Sequence, residues 1–148
     1  MNNSITAKAV VEKLITACNE RDDAKAWALL AAATVVTVAG STWLSGRFEG
    51  EEQIRRILLA TVNDYLHEAR VKVVEAIGDG DHVAALVEVS GHARDGASFD
   101  RAGGPWGLCF TVTGERIAAI DVFPDTMFIE TALCGGVYRA NDPARVLV

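Results

Sequence analysis

Between Val83 and Val89 the chain is apolar apart from one carboxylate, Glu88, and Ser90 and His92 follow it at two-residue steps. An acid, a hydroxyl and an imidazole are the groups that acid–base chemistry uses. A carboxylate whose pKa is raised by apolar neighbours can move a proton, and an imidazole or hydroxyl can polarise an oxygen. The run opens at the turn signal Gly78-Asp79-Gly80-Asp81, and a short apolar run so bounded predicts a strand buried on both faces. Alternation then puts Leu86, Glu88, Ser90 and His92 on one face and Val87 and Val89 on the other. Burying an unpaired carboxylate is costly, so Glu88 is expected to be paired, protonated or set in a wet pocket floor. The structural alternative is an ion pair with Arg70, Arg94 or Arg101, and the plain reading of His92 is a strand-end histidine in water.

A pocket needs walls. Trp106, Leu108, Phe110 and Val112 alternate onto one face of a second apolar run, with Trp43 and Tyr65 as candidates to close its rim. All of them are equally at home in a core, but aromatic walls with few polar groups are also how small-molecule sites are lined. Glu88 and His92 are thus the catalytic candidates, and Ser90, Trp43, Tyr65, Trp106, Leu108 and Phe110 the ligand-binding ones. Of two further acids, Asp121 alternates with Ile120 and Val122 and is expected to point outward, and Asp125, after a proline, to cap a turn. Gly103-Gly104-Pro105 is read as a turn, since no helix follows to make it a phosphate loop.

The 148 residues fit one domain large enough to bury a core unaided. A formal charge of −6 and no basic cluster beyond Arg55-Arg56 argue against nucleic acid as a partner. Cys18, Cys109 and Cys134 are widely spaced and form no zinc pattern, so no metal and no cofactor is expected; core thiols in a reducing compartment are. No secretory signal is visible, and the longest apolar stretch, Ala26–Ala33, is too short to span a bilayer. A cytoplasmic protein without a membrane partner is the expectation.

The elements that must position these side chains come in a simple order. Asn3-Ser4 is expected to cap a first helix with Val11, Leu14, Ile15 and Cys18 on one face. Asp22 or Asp23 caps a second, which carries Trp27, Leu29 and Leu30 and fades near residue 33. Thr34–Ala39 reads as a β-branched strand and Trp43–Gly46 as a loop. Gly50-Glu51-Glu52 opens a third helix striped with Ile54, Ile57, Leu58, Val62 and Tyr65-Leu66. Strands follow at Ala69–Ile77, Val83–His92, Trp106–Thr113 and Arg116–Phe123, the last two joined as a hairpin through Gly114. Helices first and strands second imply an α+β domain. The domain is expected over residues 1–135 with a tail over 136–148.

Several stretches resemble the nuclear transport factor 2-like superfamily: Asn19–Asp23 after the first helix, the strand ending in Gly40, and Ser45-Gly46-Arg47-Phe48-Glu49-Gly50 before an Ile-rich helix. The Phe110-x-Val-x-Gly-Glu-Arg-Ile hairpin and the Asp121–Thr126 exit add to it, so that the likeness covers about Val10 to Gly135. The resemblance implies a cone-shaped α+β barrel, three N-terminal helices packed on a strongly curved, mostly antiparallel sheet around a ligand cavity. It also implies a homodimer paired through the outer sheet face. The superfamily's catalytic sets transfer poorly. A ketosteroid isomerase-like Tyr and two Asp fall on Leu14, Thr37 and Leu108. A limonene-epoxide-hydrolase-like set falls on Ser90, Glu88 and Val122, with Val36 and Val38 where the water would be held. In SnoaL-like cyclases the general base falls on Val122, one residue from Asp121, and only a pocket histidine is retained, as His92. The expected function is a small-molecule-binding SnoaL-like protein, an isomerase, cyclase or lyase acting on a hydrophobic carbonyl-bearing or cyclic substrate. The alternative is a binding or dimerisation module without chemistry.

Overall fold

In the computed structural model the described residues are 6–96, 98–100 (backbone), 106–126 and 129. Asn3-Ser4, Arg101, Gly103-Gly104-Pro105, Cys134 and the tail beyond Gly135 lie outside them. Helix α1 (Ala7–Asn19) is capped by Thr6, whose hydroxyl accepts the Ala9 N–H at 3.2 Å. Val10, Val11, Leu14 and Ala17 form its buried face, which packs across four strands of the sheet. Its C-terminus closes with Asp22 N–H donating to Ala17 O (3.0 Å) and Arg21 N–H to Cys18 O (3.2 Å). That pattern needs a left-handed residue between helix and exit, and Arg21 takes it at φ 59° where glycine is usual. Asp22 then caps α2 (Asp23–Ala28) by accepting the Lys25 N–H at 3.2 Å.

Strand β1 (Leu30–Val38) starts earlier than expected, because α2 stops at Ala28 and the alanines 31–33 are extended rather than helical. Leu30 pairs with Ile117, and the ladder is interrupted before it resumes at Val35. Strand β2 (Gly46–Glu49) begins at the last residue of the expected loop, was not foreseen, and pairs antiparallel with β1. The third helix, α3, is built of three consecutive segments, Gly50–Gln53, a π-wound Ile54–Leu59, and Ala60–Tyr65. Winding with i→i+5 bonds turns each residue through a smaller angle than an α-helix does. Ile54 and Leu58 therefore stay buried while Ile57, expected on the same stripe, turns outward.

The remaining strands are β3 (Leu66–Asp79), β4 (His82–Ala93), the short β5 (Ser98–Asp100), β6 (Trp106–Thr113) and β7 (Arg116–Phe123). The sheet runs β2-β1-β7-β6-β4-β3 with β5 paired to β4, and every pairing is antiparallel except β1 with β7. Three helices on one mostly antiparallel sheet are the expected architecture, and since β2 and β3 do not pair the sheet is open rather than closed on itself. Asn19 covers the free edge of β3. Its side-chain amide donates to Val71 O (2.7 Å) and accepts from Val71 N (2.8 Å), standing in for the missing neighbouring strand.

Candidate functional site

The inner face of the sheet is read directly from register and burial. Val36, Ile120, Phe110 and Val83 stand in one row across β1, β7, β6 and β4, and Val38, Val122, Leu108 and Ala85 in the next. A third row pairs Trp106 with Val87, which in turn pairs with Val73 of β3. Burial along this face is graded. Toward the β6–β7 turn Phe110, Val112, Ile117 and Val83 are 0–3 % exposed. Toward the other end Leu108, Trp106, Ile120, Val122 and Val89 keep accessible surface, although each packs against a buried cluster. The part-exposed residues stand among buried ones, Val87 (0 %), Ala85 (4 %) and Val38 (8 %), on the same rows.

The part-exposed end is framed by α2, α3 and the ends of β3 and β4. Trp27, Val62, Tyr65 and Ala69 pack on the same cluster as Ile54, Leu58, Leu66, Phe48 and Ile129. Arginines stack on two of these aromatics: Arg55 lies 4.7 Å from the Trp27 ring centre and Arg94 4.8 Å from that of Tyr65. Gly91 permits the tight approach of β4 to β3 here, since a Cβ on it would stand 2.7 Å from His67 O and 2.8 Å from Leu66 Cδ1. Opposite it, β3 bulges between His67 and Arg70, with Glu68 at φ 54°. Across the rim the turn after β1 begins at Gly40 (φ 101°) and is knotted by Ser45 Oγ, which donates to Ala39 O (3.1 Å) and accepts the Thr42 N–H (2.9 Å).

The family model for the SnoaL-like domain matches residues 11–120. The chain belongs to the SnoaL-like domain family. No curated protein matches it. Among solved structures it is similar to a nuclear transport factor 2-like protein of unknown function from Burkholderia pseudomallei, with 19 % identity over 90 % of this chain and 98 % of that one and a TM-score of 0.77. It is also similar to a putative SnoaL-like polyketide cyclase from Jannaschia (16 % identity, 93 % and 97 % coverage, TM-score 0.73). A third similar structure is a hypothetical protein from Catenulispora acidiphila with a ketosteroid isomerase-like fold, in complex with trimethylamine (19 % identity, 84 % and 92 % coverage, TM-score 0.66). At these identities the likeness shows the fold.

Within this SnoaL-like frame the residues singled out from the sequence separate into two groups. Trp106, Leu108 and Phe110 lie on the inner face, and Tyr65 packs at the rim. Glu88, Ser90 and His92 do not join them. Val83, Ala85 and Val87 are the buried set of β4, so alternation puts Glu88 with the exposed Ala84 and Leu86 on the outer face. There it stands opposite Lys72 of β3, and Ser90 stands opposite Arg70. The expectation of a pocket floor made by Glu88, Ser90 and His92 is corrected: polar groups on a strand with one packed face turn away from the packing. His92 sits beside His67 at the ladder's end, its Nε2 3.4 Å from the Glu68 carboxylate, with both side chains largely exposed. The histidine that the resemblance would retain in a pocket therefore lies on the outer face. Trp43 is 71 % exposed because Leu44, buried beside it, takes the inward position, so Trp43 does not close the rim.

Asp121 is exposed on the outer face, opposite Cys109 and Thr37, as alternation required. Asp125, half-buried, accepts the Ile129 N–H on its main-chain oxygen at 3.1 Å, so its backbone opens a turn. Cys109 is an exposed free cysteine, and Cys18 is exposed as a residue although its thiol is turned against the chain, so neither is a core residue. Desolvation by the surrounding chain, then the Asp23 carboxylate, push the Cys18 thiol above its ordinary value, with Arg21 pulling the other way. Thr34 shares the inner face, and its hydroxyl has no partner among the described residues, but it is packed to 1 % exposure and touches no open space. A separate groove of about 200 Å³ at the filled end is lined by Val10, Lys13, Ala28, Leu29, Glu115 and Arg116 and contains none of the candidates. Among the described residues no cluster of His, Cys, Asp or Glu is arranged to hold a metal ion, and no helix is long and apolar enough to cross a membrane. The arginine–aromatic stacks went unnoticed in the sequence, where Tyr65 and Arg94 are 29 positions apart and nothing links them.

Proposed function

We propose that this protein is a ligand-binding SnoaL-like cup whose guest is a hydrophobic cyclic or carbonyl-bearing small molecule. The observation that supports this reading is the part-exposure of Trp106, Leu108, Ile120, Val122 and Val89 on an inner face whose other residues, Val87 among them, are buried. Apolar walls with an aromatic rim bind by removing guest surface from water. Because Glu88 and His92 belong to the outer face, proton transfer by that pair is not part of the proposal. The test is the affinity of a neutral aromatic probe, 2-naphthamide, measured by calorimetry from pH 5.5 to 8.5. A flat profile is expected of a cup that binds by burial. A step or bell of tenfold or more would show a titrating group at the guest and restore acid–base chemistry to the site.

We further propose that the outer sheet face pairs with a second copy of the chain. Ile77 (65 %), Leu86 (43 %) and Phe123 (53 %) are exposed there. Leu86, Gly107 and Phe123 stand side by side across β4, β6 and β7, so the glycine leaves a shallow seat between two large apolar groups. Leu86→Glu combined with Phe123→Asp should convert a dimer into a monomer in light scattering; a wild-type monomer at 100 µM or so, some tenfold above a weak 10 µM Kd, would refute the pairing.

A further inference from the structure

Resting on the cup reading above, we propose that Arg94 selects guests that carry an anionic oxygen (a carboxylate, enolate or phenolate) on an otherwise apolar ring system. The β3–β4 ladder ends with Leu66 opposite Ala93 and His67 opposite His92. One step further along the same register, Tyr65 and Arg94 face each other, and the guanidinium lies 4.8 Å from the ring centre. Ala93 is buried in the cluster beneath the open end, and Tyr65 packs against that same cluster. Arg94 is therefore fixed at the mouth of the cup and not on a distant surface. Stacking uses the flat face of a guanidinium and leaves its five in-plane N–H donors at the edge, the geometry that suits a carboxylate.

Two comparisons single out this arginine. Arg55, stacked on Trp27, is already held by Glu51 at 2.9 Å, so its charge is met within α3. Among the described residues no salt bridge engages Arg94. The groove at the filled end also has two cations, Lys13 and Arg116, but Glu115 lines it with them. The chain as a whole carries a formal charge of −6. With screening over about 8 Å at physiological salt, carboxylates elsewhere on the chain count for little here, and Asp95 and Asp64, next in sequence to Arg94 and Tyr65, are the acids a guest anion must compete with. An anion-bearing guest would thus be anchored at Arg94 by its charged end while its ring lies against the apolar cluster on which Tyr65 packs.

The test uses an isosteric pair of probes, 2-naphthoate and uncharged 2-naphthamide, titrated calorimetrically into wild type, Arg94→Gln and Trp106→Ala. Wild type is expected to prefer the carboxylate by about tenfold, the lower end for a hydrogen bond to a charged group at a partly exposed site. Arg94→Gln should erase that preference and leave the amide within twofold of wild type. Arg94→Lys, which keeps the charge and loses the planar fork, should retain part of it. Equal affinity of wild type for the two probes, or an Arg94→Gln preference like that of wild type, overturns the role of Arg94 while leaving the cup intact. If neither probe binds wild type, or if Trp106→Ala binds both as wild type does, the cup reading itself falls and this inference with it.

Discussion

Changing one side chain on each face of the same sheet separates the cup from the outer surface. The inner change is Trp106→Ala. A tryptophan offers roughly 200 Å² of surface, and since Trp106 is part-buried a planar guest would cover at most about a third of it, about 70 Å². At about 25 cal/mol per Å² the lost contact is at most about 1.7 kcal/mol, or roughly a fifteenfold weaker affinity for 2-naphthamide. Truncating a fully buried Trp costs about 3–5 kcal/mol of stability. Trp106 keeps accessible surface, so about 2–3 kcal/mol is expected here, within what a domain of this size tolerates. The outer change is Glu88→Gln, opposite Lys72 on a half-exposed face. Removing that charge should alter stability by less than about 0.5 kcal/mol and the affinity by less than about twofold. Calorimetry with the amide probe and urea unfolding followed by circular dichroism read both quantities on both variants. Loss of binding in Glu88→Gln with Trp106→Ala unaffected would invert the assignment of faces and refute the reasoning.

Three further outcomes follow from local structure. Arg21→Gly should raise stability by about 0.5–1 kcal/mol, because the left-handed turn after α1 penalises any residue with a Cβ; an unchanged or lower urea midpoint would contradict this. Asn19→Ala removes both bonds to Val71 and should cost about 1–3 kcal/mol, with faster amide exchange at Val71 as the local signature. Exchange at Val71 that matches wild type would show that the amide pair does not hold the edge. For Cys18 the sign is simple: a raised thiol pKa means less thiolate at a given pH. In a Cys109→Ser, Cys134→Ser background, iodoacetamide should alkylate Cys18 more slowly at pH 8 than it alkylates a free peptide thiol. The gap should close as the pH rises, and a rate at pH 8 equal to the peptide's would contradict the shift.

Periodicity made the strands legible where it was unambiguous. Trp106–Thr113 and Arg116–Phe123 begin and end where the sequence pattern puts them, and the inward set on β6 follows from alternation alone. The face of β4 was harder because both of its faces are apolar through Val87: Val83, Ala85 and Val87 turn inward, Ala84 and Leu86 outward. On such a strand only the contrast between Val87 and Val89 on one side and Glu88 and Ser90 on the other carries orientation. Its physical meaning is that the polar row faces away from the packing. An outward apolar residue such as Leu86 then leaves apolar surface uncovered, and Phe123 and Gly107 stand in the same row. What alternation cannot express is the rim. Tyr65 and Arg94 meet because a bulge at Glu68 and a glycine at 91 bring the ends of two long strands together, and the pairing exists only once the register is set. The inner face of the sheet is thus written in the periodicity of single strands, whereas the Tyr65–Arg94 contact arises from how two strands end.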